Sequence, residues 1–289
     1  MPSGILVIDK PRDWTSMDVC AKLRRLLGER RVGHAGTLDP MATGVLTVFV
    51  GRATRAVEFA EAGEKTYEAT LRLGTETDTQ DITGTVLRAS VDFPSEAEIL
   101  EVLPRFRGEI DQIPPMYSAL KRNGKKLYEL ARQGKSVERQ PRRITIYHLE
   151  LGAQISPSDW ALTVTCSKGT YIRTLCHDIG AALGCGGTMA SLRRTAASGF
   201  TLSDAVTLEQ VTAAAEEGRA EALLRPVDSL FRDCPAVKIW GRTEQLCRNG
   251  NPFRLPGEDG TFRFYAADGS FLMLGARKDG QVRTIKSFF

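Results

Sequence analysis

The sequence predicts an α+β protein with a large first domain and a small β-rich second domain. Two periodicities alternate along residues 1–232: apolar residues three to four positions apart, as in amphipathic helices, and apolar residues at every second position, as in half-buried strands. Beyond that point short β-like runs are separated by Gly and Pro turns. A chain of 289 residues is long enough for both domains. We therefore place a boundary near Arg232, with the second domain at residues 233–289.

The first 50 residues predict a strand, a helix, a loop and a second strand. Residues 5–8 are a short apolar run that suits a buried strand and is too short for a signal-peptide core. Residues 15–18 have the spacing of a capping box, and the apolar face that follows ends at Gly28, which predicts an amphipathic helix. The Gly-rich residues 31–44 indicate a loop or turn, and the β-branched, apolar residues 45–50 indicate a buried strand.

The next 60 residues continue the mixture of strands and helices. Residues 67–73 alternate cleanly between apolar and polar side chains, as in a half-buried strand. A polar loop rich in Thr and Asp follows at 74–84, and a short strand at 85–88. Residues 95–106 begin with another capping box and predict a helix that Pro104 kinks or ends.

Residues 112–143 differ in kind from their neighbours. They contain two adjacent prolines, two glycines and many basic residues, with little apolar periodicity. This pattern predicts an inserted, partly mobile arm rather than a part of the core.

The remaining elements follow the same rules. Residues 161–166 suit a strand, and the helix that opens at Gly169 has apolar residues at i, i+3, i+4 and i+7 until Gly180 ends it. A capped helix is predicted at 207–218. The second domain has β-like pieces at 261–265, 271–274 and 282–285.

Composition and charge indicate a cytosolic protein with one basic surface. Contents of 42% hydrophobic and 26% charged residues are those of an ordinary globular protein, and no apolar run reaches the roughly 18–20 residues of a membrane helix. The six widely spaced cysteines include no CxxC pair, so we interpret them as reduced. Residues 105–145 carry 11 Lys and Arg against 4 Asp and Glu. The net charge of this segment is therefore +7, which exceeds the +4 of the whole chain. This segment suits contact with a polyanion, although a solvated charged face is the simpler alternative.

Several enzyme classes and metal sites are disfavoured. The sequence has no phosphate-binding P-loop, dinucleotide fingerprint, GxSxG elbow or base-deaminase signature. The cysteines and histidine between residues 166 and 185 match no common zinc spacing, and the acidic residues of the 76–81 loop fit no calcium loop. The chain has only three histidines, which disfavours a histidine-based metal centre or catalytic triad. If the chain is an enzyme, we expect a carboxylate as its reactive group and no cofactor.

One segment carries a long motif. Residues 33–46 read Gly-His-Ala-Gly-Thr-Leu-Asp-Pro-Met-Ala-Thr-Gly-Val-Leu. Taken alone, Asp39-Pro40 marks a turn or a helix start, with Asp as the N-cap and Pro at the first helical position. The whole run closely resembles the GHxGTLDPxATGxL signature of the bacterial TruB-type tRNA pseudouridine-55 synthases.

The resemblance covers most of residues 1–230. The segments similar to further parts of the family are 4–11 (the opening strand and Lys-Pro turn), 65–67, 74–84 (the TDTxD loop), 112–119 and 124–128 (the RNA-gripping thumb), 166–173 and 192–195. The resemblance implies a pseudouridine-synthase fold: a mixed, largely antiparallel sheet with flanking helices, a cleft, and a thumb insertion at about 112–143. The tail resembles, more weakly, a PUA-type RNA-binding domain.

The resemblance also implies the residues of the site. Asp39 is the implied catalytic residue, Arg173 its ionic partner, and Tyr67 the residue that stacks on the base and is a candidate proton carrier at C5. The residues implied to contact the RNA are His34, Tyr171, Leu192, Lys10, Tyr117, Lys121, Lys125, Lys126 and Arg142.

The implied reaction is the isomerisation of a uridine in the T-loop of tRNA to pseudouridine. It proceeds by base flipping, without cofactor or guide RNA, and the resemblance implies a monomer with no obligate protein partner. Two alternatives stay open. One is a guide-RNA-dependent synthase of the dyskerin type, which shares the catalytic core and lacks the thumb. The other is a non-catalytic RNA-binding or tRNA-folding protein.

Overall fold

The structure is a computed structural model that describes residues 2–122 and 124–289. A sheet of nine strands forms the frame of the first 200 residues. Seven of its strands lie in the order β1-β3-β12-β4-β11-β10-β7, while β2 pairs with β3 and β13 pairs with β12. Its strands are β1 (Gly4–Lys10), β2 (Val32–Ala35), β3 (Thr43–Val50), β4 (Lys65–Leu73), β7 (Gly108–Gln112), β10 (Arg142–Gln154), β11 (Asp159–Cys166), β12 (Gly187–Ala197) and β13 (Phe200–Thr201). Two short hairpins lie beside it, made of β5 (Thr75–Thr77) with β6 (Val86–Ala89) and of β8 (Lys121–Arg122) with β9 (Lys125–Lys126).

Helices flank this sheet. They are α1 (Ser16–Leu27), α2 (Val57–Ala62), α3 (Glu96–Val102), α5 (Ile172–Ala182) and α6 (Leu208–Glu216), whereas α4 (Leu127–Ala131) lies in the inserted arm beside β9. The β3–β12 pair is parallel and the other described pairs of the sheet are antiparallel, so the expected mixed, largely antiparallel sheet with flanking helices is confirmed. None of the helices in the described ranges is long and apolar enough to cross a membrane.

The apolar run of β3 is explained by a core on each face of the sheet. Leu46 and Val48 belong to the main core, which α1 and α5 cover, whereas Val45 and Phe49 face a second core. Because both faces of β3 are covered, its sequence is a continuous apolar run instead of an alternating one. The alternation of β4, by contrast, matches its burial pattern residue by residue.

The second sheet occupies the last quarter of the chain. Its strands are β14 (Ala236–Lys238), β15 (Phe253–Arg254), β16 (Gly260–Tyr265), β17 (Phe271–Lys278) and β18 (Gln281–Ser287), and α7 (Gly241–Arg248) packs beside it. The β-like runs of the sequence are present, whereas α7 was not predicted. Phe271 and Phe288 of this part pack with Phe59 and Phe231, which joins the two sheets through one aromatic cluster.

Several sequence predictions about single elements need correction. The loop predicted at 31–44 contains strand β2, which pairs with β3. Gly180 does not end α5, which continues to Ala182. A side chain at Gly180 would lie 2.1 Å from the backbone nitrogen of Gly187, so this glycine allows the helix to approach β12 closely. The long strands β10 and β12 were not predicted, because β-bulges break the alternation of both.

Candidate active site

A cleft of about 1210 Å³ crosses the larger sheet above β4 and β12. It is lined by the Asp39 turn, the polar loop after β5, the start of the inserted arm, and the segment that leads into α5. Seven of the predicted site residues line it: Asp39, Tyr67, Tyr117, Arg142, Tyr171, Arg173 and Leu192.

Asp39 lies in a turn between β2 and β3, so the alternative of a helix start at Asp39-Pro40 is wrong. The turn is fastened on both sides. The backbone N–H of Leu38 donates to Ser16 Oγ at 2.9 Å, and the N–H of Asp13 donates to the Pro40 carbonyl at 2.8 Å. These contacts give the carboxylate a fixed direction into the cleft without a regular element to carry it.

Arg173 meets Asp39 in the expected ion pair. It lies in the first turn of α5 and keeps 5% of its surface exposed. Its Nε is 3.0 Å from Asp39 Oδ2, and its Nη2 donates to Oδ1 at 3.4 Å. The same guanidinium donates to the carbonyls of Thr79 and Tyr117 at 3.0 and 2.8 Å, which leaves it little freedom to turn.

A second carboxylate supports this pair. Asp81 Oδ2 lies 3.7 Å from Arg173 Nη1. Its other oxygen, Oδ1, accepts hydrogen bonds from the backbone and hydroxyl of Thr83 and from the hydroxyl of Thr79. Asp81 is therefore buried and oriented by its own loop, and it presents a negative charge to the far side of the guanidinium.

The electrostatics of Asp39 are a balance of opposing effects. Its side chain keeps 37% of its surface open to the cleft, yet the walls around it displace much of the bulk water. This desolvation raises the pKa of Asp39, Arg173 lowers it, and the negative charge of Asp81 raises it again. The net direction is upward, so Asp39 is a stronger base than an ordinary aspartate.

Tyr67 lies on β4 beneath the cleft. Its side chain is 8% exposed, and its neighbours in the sheet are Val164 on β11 and Arg194 on β12. Burial raises the pKa of Tyr67, and the positive charge of Arg194 opposes that rise. The hydroxyl therefore carries its proton at neutral pH.

Tyr171 and Leu192, which the resemblance implies to contact RNA, both line the cleft. Tyr171 immediately precedes α5, and its backbone is held by Gln112: the Tyr171 N–H donates to Gln112 Oε1 at 2.8 Å, and Gln112 Nε2 donates to the Tyr171 carbonyl at 3.1 Å. Leu192 projects from β12 and is 8% exposed. These two side chains add aromatic and aliphatic surface to the lining of the cleft.

Two predicted RNA-contacting residues lie elsewhere. Lys10 is fully buried, and its Nζ donates to the carbonyls of Pro11, Trp14 and Pro40, so the expectation that it contacts RNA is corrected. It instead supports the Asp39 turn from below, and burial lowers its pKa to about 8. His34 lies half-buried on β2 opposite Val48 and outside the lining of the cleft, and its contact with RNA stays a prediction.

The inserted arm presents its basic residues to solvent. Lys121 and Lys125 are exposed on the hairpin of β8 and β9. Lys126 lies over the ring of Tyr128, with its Nζ 5.3 Å from the ring centroid. At the base of the arm, Tyr117 donates a long hydrogen bond of 3.4 Å to Asp78, and Arg142 borders the cleft.

The sequence had not assigned a role to three residues of the site: Asp81, Gln112 and Arg194. The signal for Asp81 was its position in the TDTxD-like loop, and that for Arg194 its position in a short motif. Gln112 opens the 112–119 segment that resembles the thumb, but nothing in that segment indicated its partner Tyr171, which is 59 positions away. Among the described residues, no group of three or more His, Cys, Asp or Glu side chains could hold a metal ion.

Comparison with known proteins identifies the family of this chain. Residues 24–172 match the model of the TruB family pseudouridylate synthase N-terminal domain, and residues 173–232 match the tRNA pseudouridylate synthase B C-terminal domain. Curated relatives include the tRNA pseudouridine synthase B of Dechloromonas aromatica (strain RCB), 49% identical over 91% of this chain and 88% of the relative. That of Azoarcus sp. (strain BH72) is 46% identical, over 97% of this chain and 93% of the relative.

Solved structures share the fold. A Cbf5-Nop10-Gar1 complex contains a chain with a TM-score of 0.74 and 27% identity, over 99% of this chain and 85% of that chain. An H/ACA RNP bound to a substrate RNA containing 2'-deoxyuridine gives a TM-score of 0.73 and 26% identity, with the same two coverages. The two family matches, the near-complete coverage and the pseudouridine-synthase fold agree. The chain belongs to the TruB family of tRNA pseudouridine synthases.

Proposed function

We propose that this chain isomerises a uridine in the T-loop of tRNA to pseudouridine, at position 55 as in the family's name, without cofactor or guide RNA. The observation that carries the proposal is the pairing of Asp39 with Arg173 inside the cleft, at 3.0 Å. A carboxylate fixed by a bidentate, buried guanidinium is a preorganised reactive group.

The reaction needs no redox partner because its atoms balance within one nucleotide. The bond between N1 and C1′ breaks, a bond between C5 and C1′ forms, C5 loses a proton, and N1 gains one. Asp39 must be ionised to take part, and its raised pKa makes it a better nucleophile or base. Arg173 fixes its direction. Tyr67 lies beneath the same space and is the candidate proton carrier at C5. Because its phenol is protonated, its oxygen can accept the C5 proton only as its own proton passes on to water or to N1.

The target base must leave its stack in the RNA to reach Asp39 and Tyr67 in the cleft. Flipping a base out costs a few kcal/mol, which the enzyme recovers by contact with the flipped base. Tyr67, Tyr171 and Leu192 supply aromatic and apolar surface around Asp39. A base held between them would place its sugar against the carboxylate.

The arm supplies affinity instead of chemistry. Exposed Lys121 and Lys125 can neutralise phosphates, as can Arg142, while Lys126 and Tyr128 offer a mixed basic and aromatic surface. Such contacts position the RNA without reading its sequence, so specificity comes from the folded shape of the T-arm. We propose the second sheet, as a PUA-like domain at about 233–289, as a further RNA contact.

A guide-dependent enzyme is the alternative. The solved structures that share the fold at 26–27% identity are a Cbf5-Nop10-Gar1 complex and an H/ACA RNP bound to a substrate RNA. The relatives at 46–49% identity are named tRNA pseudouridine synthase B, and the inserted arm gives this chain its own basic surface for RNA. These observations favour an enzyme that acts alone.

The test uses an isolated T-arm stem-loop whose target uridine is tritiated at C5. Purified wild type and Asp39→Asn are compared for tritium release and, in parallel, for RNA binding. We expect release by the wild type alone, with both proteins bound to the RNA. Binding without release by the wild type would leave an RNA-binding or partner-dependent protein and reject the proposal. Addition of guide RNA and partner proteins distinguishes those two.

A further inference from the structure

Arg194 is the largest fully buried side chain of the described molecule, with 1% of its surface exposed. It lies on β12, and the ion pairs found in residues 2–122 and 124–289 include no acidic partner for it. A buried cation without a carboxylate is costly unless hydrogen bonds offset the loss of water. What this guanidinium contacts therefore indicates what it does.

The side chain fastens both ends of the segment that carries Asp39. Arg194 Nη2 donates to the carbonyl of Gly36 at 2.9 Å, and its Nε donates to the carbonyl of Val45 at 2.7 Å. These carbonyls lie three residues before and six residues after the catalytic carboxylate. One rigid fork thus spans the two ends of the turn.

The main chain of Arg194 contributes to the same clamp. Residue 194 pairs with Gly44 in the parallel β3–β12 contact. A side chain at Gly44, where φ is +100°, would lie 2.2 Å from the carbonyl oxygen of Arg194. Glycine is needed there so that the end of the Asp39 segment can approach β12 this closely.

Arg194 also adjoins the other reactive residue. It is directly opposite Tyr67 in the β4–β12 register, and the two side chains line the cleft together with Gly36. Its positive charge acts on the phenol, because it opposes the rise in the pKa of Tyr67 that burial causes. A single buried cation is therefore in contact with the two parts of the site that must meet the same nucleotide.

We propose that Arg194 is a positioning residue that sets the Asp39 turn and the Tyr67 phenol in fixed relation, so that the phenol can relay the C5 proton after Asp39 has acted. The proposal rests on the proposed function. Arg173 orients the Asp39 carboxylate, whereas Arg194 holds the backbone on which it stands. Lysine at position 194 would keep the charge and lose the fork, since one ammonium cannot reproduce the planar two-nitrogen geometry.

The test compares Arg194→Lys and Arg194→Met with Arg193→Met. Arg193 is the adjacent residue on the same strand, half-exposed and paired with Asp9 at 2.8 Å, and it does not line the cleft. Single-turnover rates are measured at saturating T-arm RNA that carries either hydrogen or deuterium at C5 of the target uridine. RNA affinity and thermal melting are measured alongside.

We expect Arg194→Lys to melt cooperatively, to bind RNA within about threefold of the wild type, and to react about 100-fold more slowly, the loss typical of a reactive group misplaced by about 1 Å. The C5 isotope effect should rise, because transfer of the C5 proton through a displaced Tyr67 becomes the slow step. Arg193→Met should keep the rate within about threefold and the isotope effect unchanged.

Two outcomes overturn the proposal: a wild-type rate for Arg194→Lys, or a slow rate with an unchanged isotope effect. If Arg194→Met does not fold, the lysine variant decides alone. Failure of this proposal is distinct from failure of the proposed function, which would appear as absence of tritium release from the wild type itself.

Discussion

The cations of this molecule form two groups that differ in their surroundings. Beneath the cleft, Lys10, Arg173 and Arg194 are each at most 5% exposed, and each donates to two or more main-chain carbonyls. On the inserted arm, Lys121 and Lys125 point into solvent from a two-stranded hairpin. The first group is fixed in the folded protein, and the second is free to adapt to a ligand.

The two groups of cations therefore have different effects: the buried group sets the geometry of the reactive residues, and the exposed group sets the affinity for RNA. A buried guanidinium that holds backbone carbonyls is screened little by salt, so its effect on the reaction should persist at any ionic strength. Exposed lysines that meet phosphates act through released counterions, and their effect weakens as salt is added. We therefore expect substitutions beneath the cleft to change the rate of the bound complex, and substitutions on the arm to change binding.

The largest effect is expected from Arg173→Met. The change leaves Asp39 and Asp81 without their shared cation, and breaking a buried pair of this kind costs about 3–5 kcal/mol. We expect the single-turnover rate at saturating RNA to fall by at least about 10³-fold and the melting temperature to drop by several degrees. Arg72→Met, which breaks a partly exposed pair with Asp159 at 2.7 Å, is the matched control and should react normally. A rate within tenfold of wild type for Arg173→Met would contradict the assignment of fixed geometry to the buried group.

A smaller loss is expected from Asp81→Asn. The amide oxygen can still accept from Thr83, but the amide NH₂ then faces Arg173 and repels it. We expect a fall of about 10- to 100-fold in single-turnover rate, with RNA affinity preserved. Asp92→Asn, on the exposed loop after β6, should leave the rate unchanged. Weak RNA binding by Asp81→Asn, measured by fluorescence anisotropy, would instead place Asp81 among the residues that grip the RNA.

A still smaller effect, of a different kind, is expected from Lys121→Ala on the arm. At saturating RNA the rate should stay within about twofold of wild type, while affinity falls several-fold at low salt. The slope of log K against log salt should become shallower by about 0.7 to 0.9, the value for one lost phosphate contact. Arg219→Ala removes an equally exposed cation that does not line the cleft, and its slope should match that of the wild type. Equal slopes for all three proteins would remove the arm from the RNA interface.

The sequence predicted these two groups unequally well. Local patterns located most of the elements: the capping box of Thr15 and Asp18 is present at α1, and the alternation at 67–73 falls within β4. The exposed basic arm followed from charge counting alone. The burial of Arg194 could not be predicted, because nothing local distinguishes it from the half-exposed Arg193 beside it. Only the pairing of β12 with β3 and β4 turns one of them inward.

Long-range pairing also explains the other differences. The contacts of Asp81, Gln112 and Lys10 with the site depend on residues 30 to 92 positions away, and such pairings have no period in the sequence. Bulges in β10 and β12 erased the alternation by which strands are recognised. The pairing of Asp39 with Arg173, 134 positions apart, was predicted by resemblance, and the structure confirms the contact.

The smallest expected effect is a shift in the pH dependence of the rate. This shift directly tests how the charges of Arg173 and Asp81 act on the pKa of Asp39. The reaction needs ionised Asp39, so the rate falls as pH drops through its pKa. Desolvation raises that pKa, Arg173 lowers it and Asp81 raises it, so the acid limb of the wild type should lie at higher pH than for an ordinary aspartate of pKa about 3.9. Removal of the neighbouring negative charge in Asp81→Asn should move this limb to lower pH, even though the plateau rate is reduced. Asp92→Asn should leave the limb in place. Single-turnover rates across the pH range decide the matter: a limb that moves upward in Asp81→Asn would mean that Asp81 acts on Asp39 mainly by holding Arg173 in place, and not through its own charge.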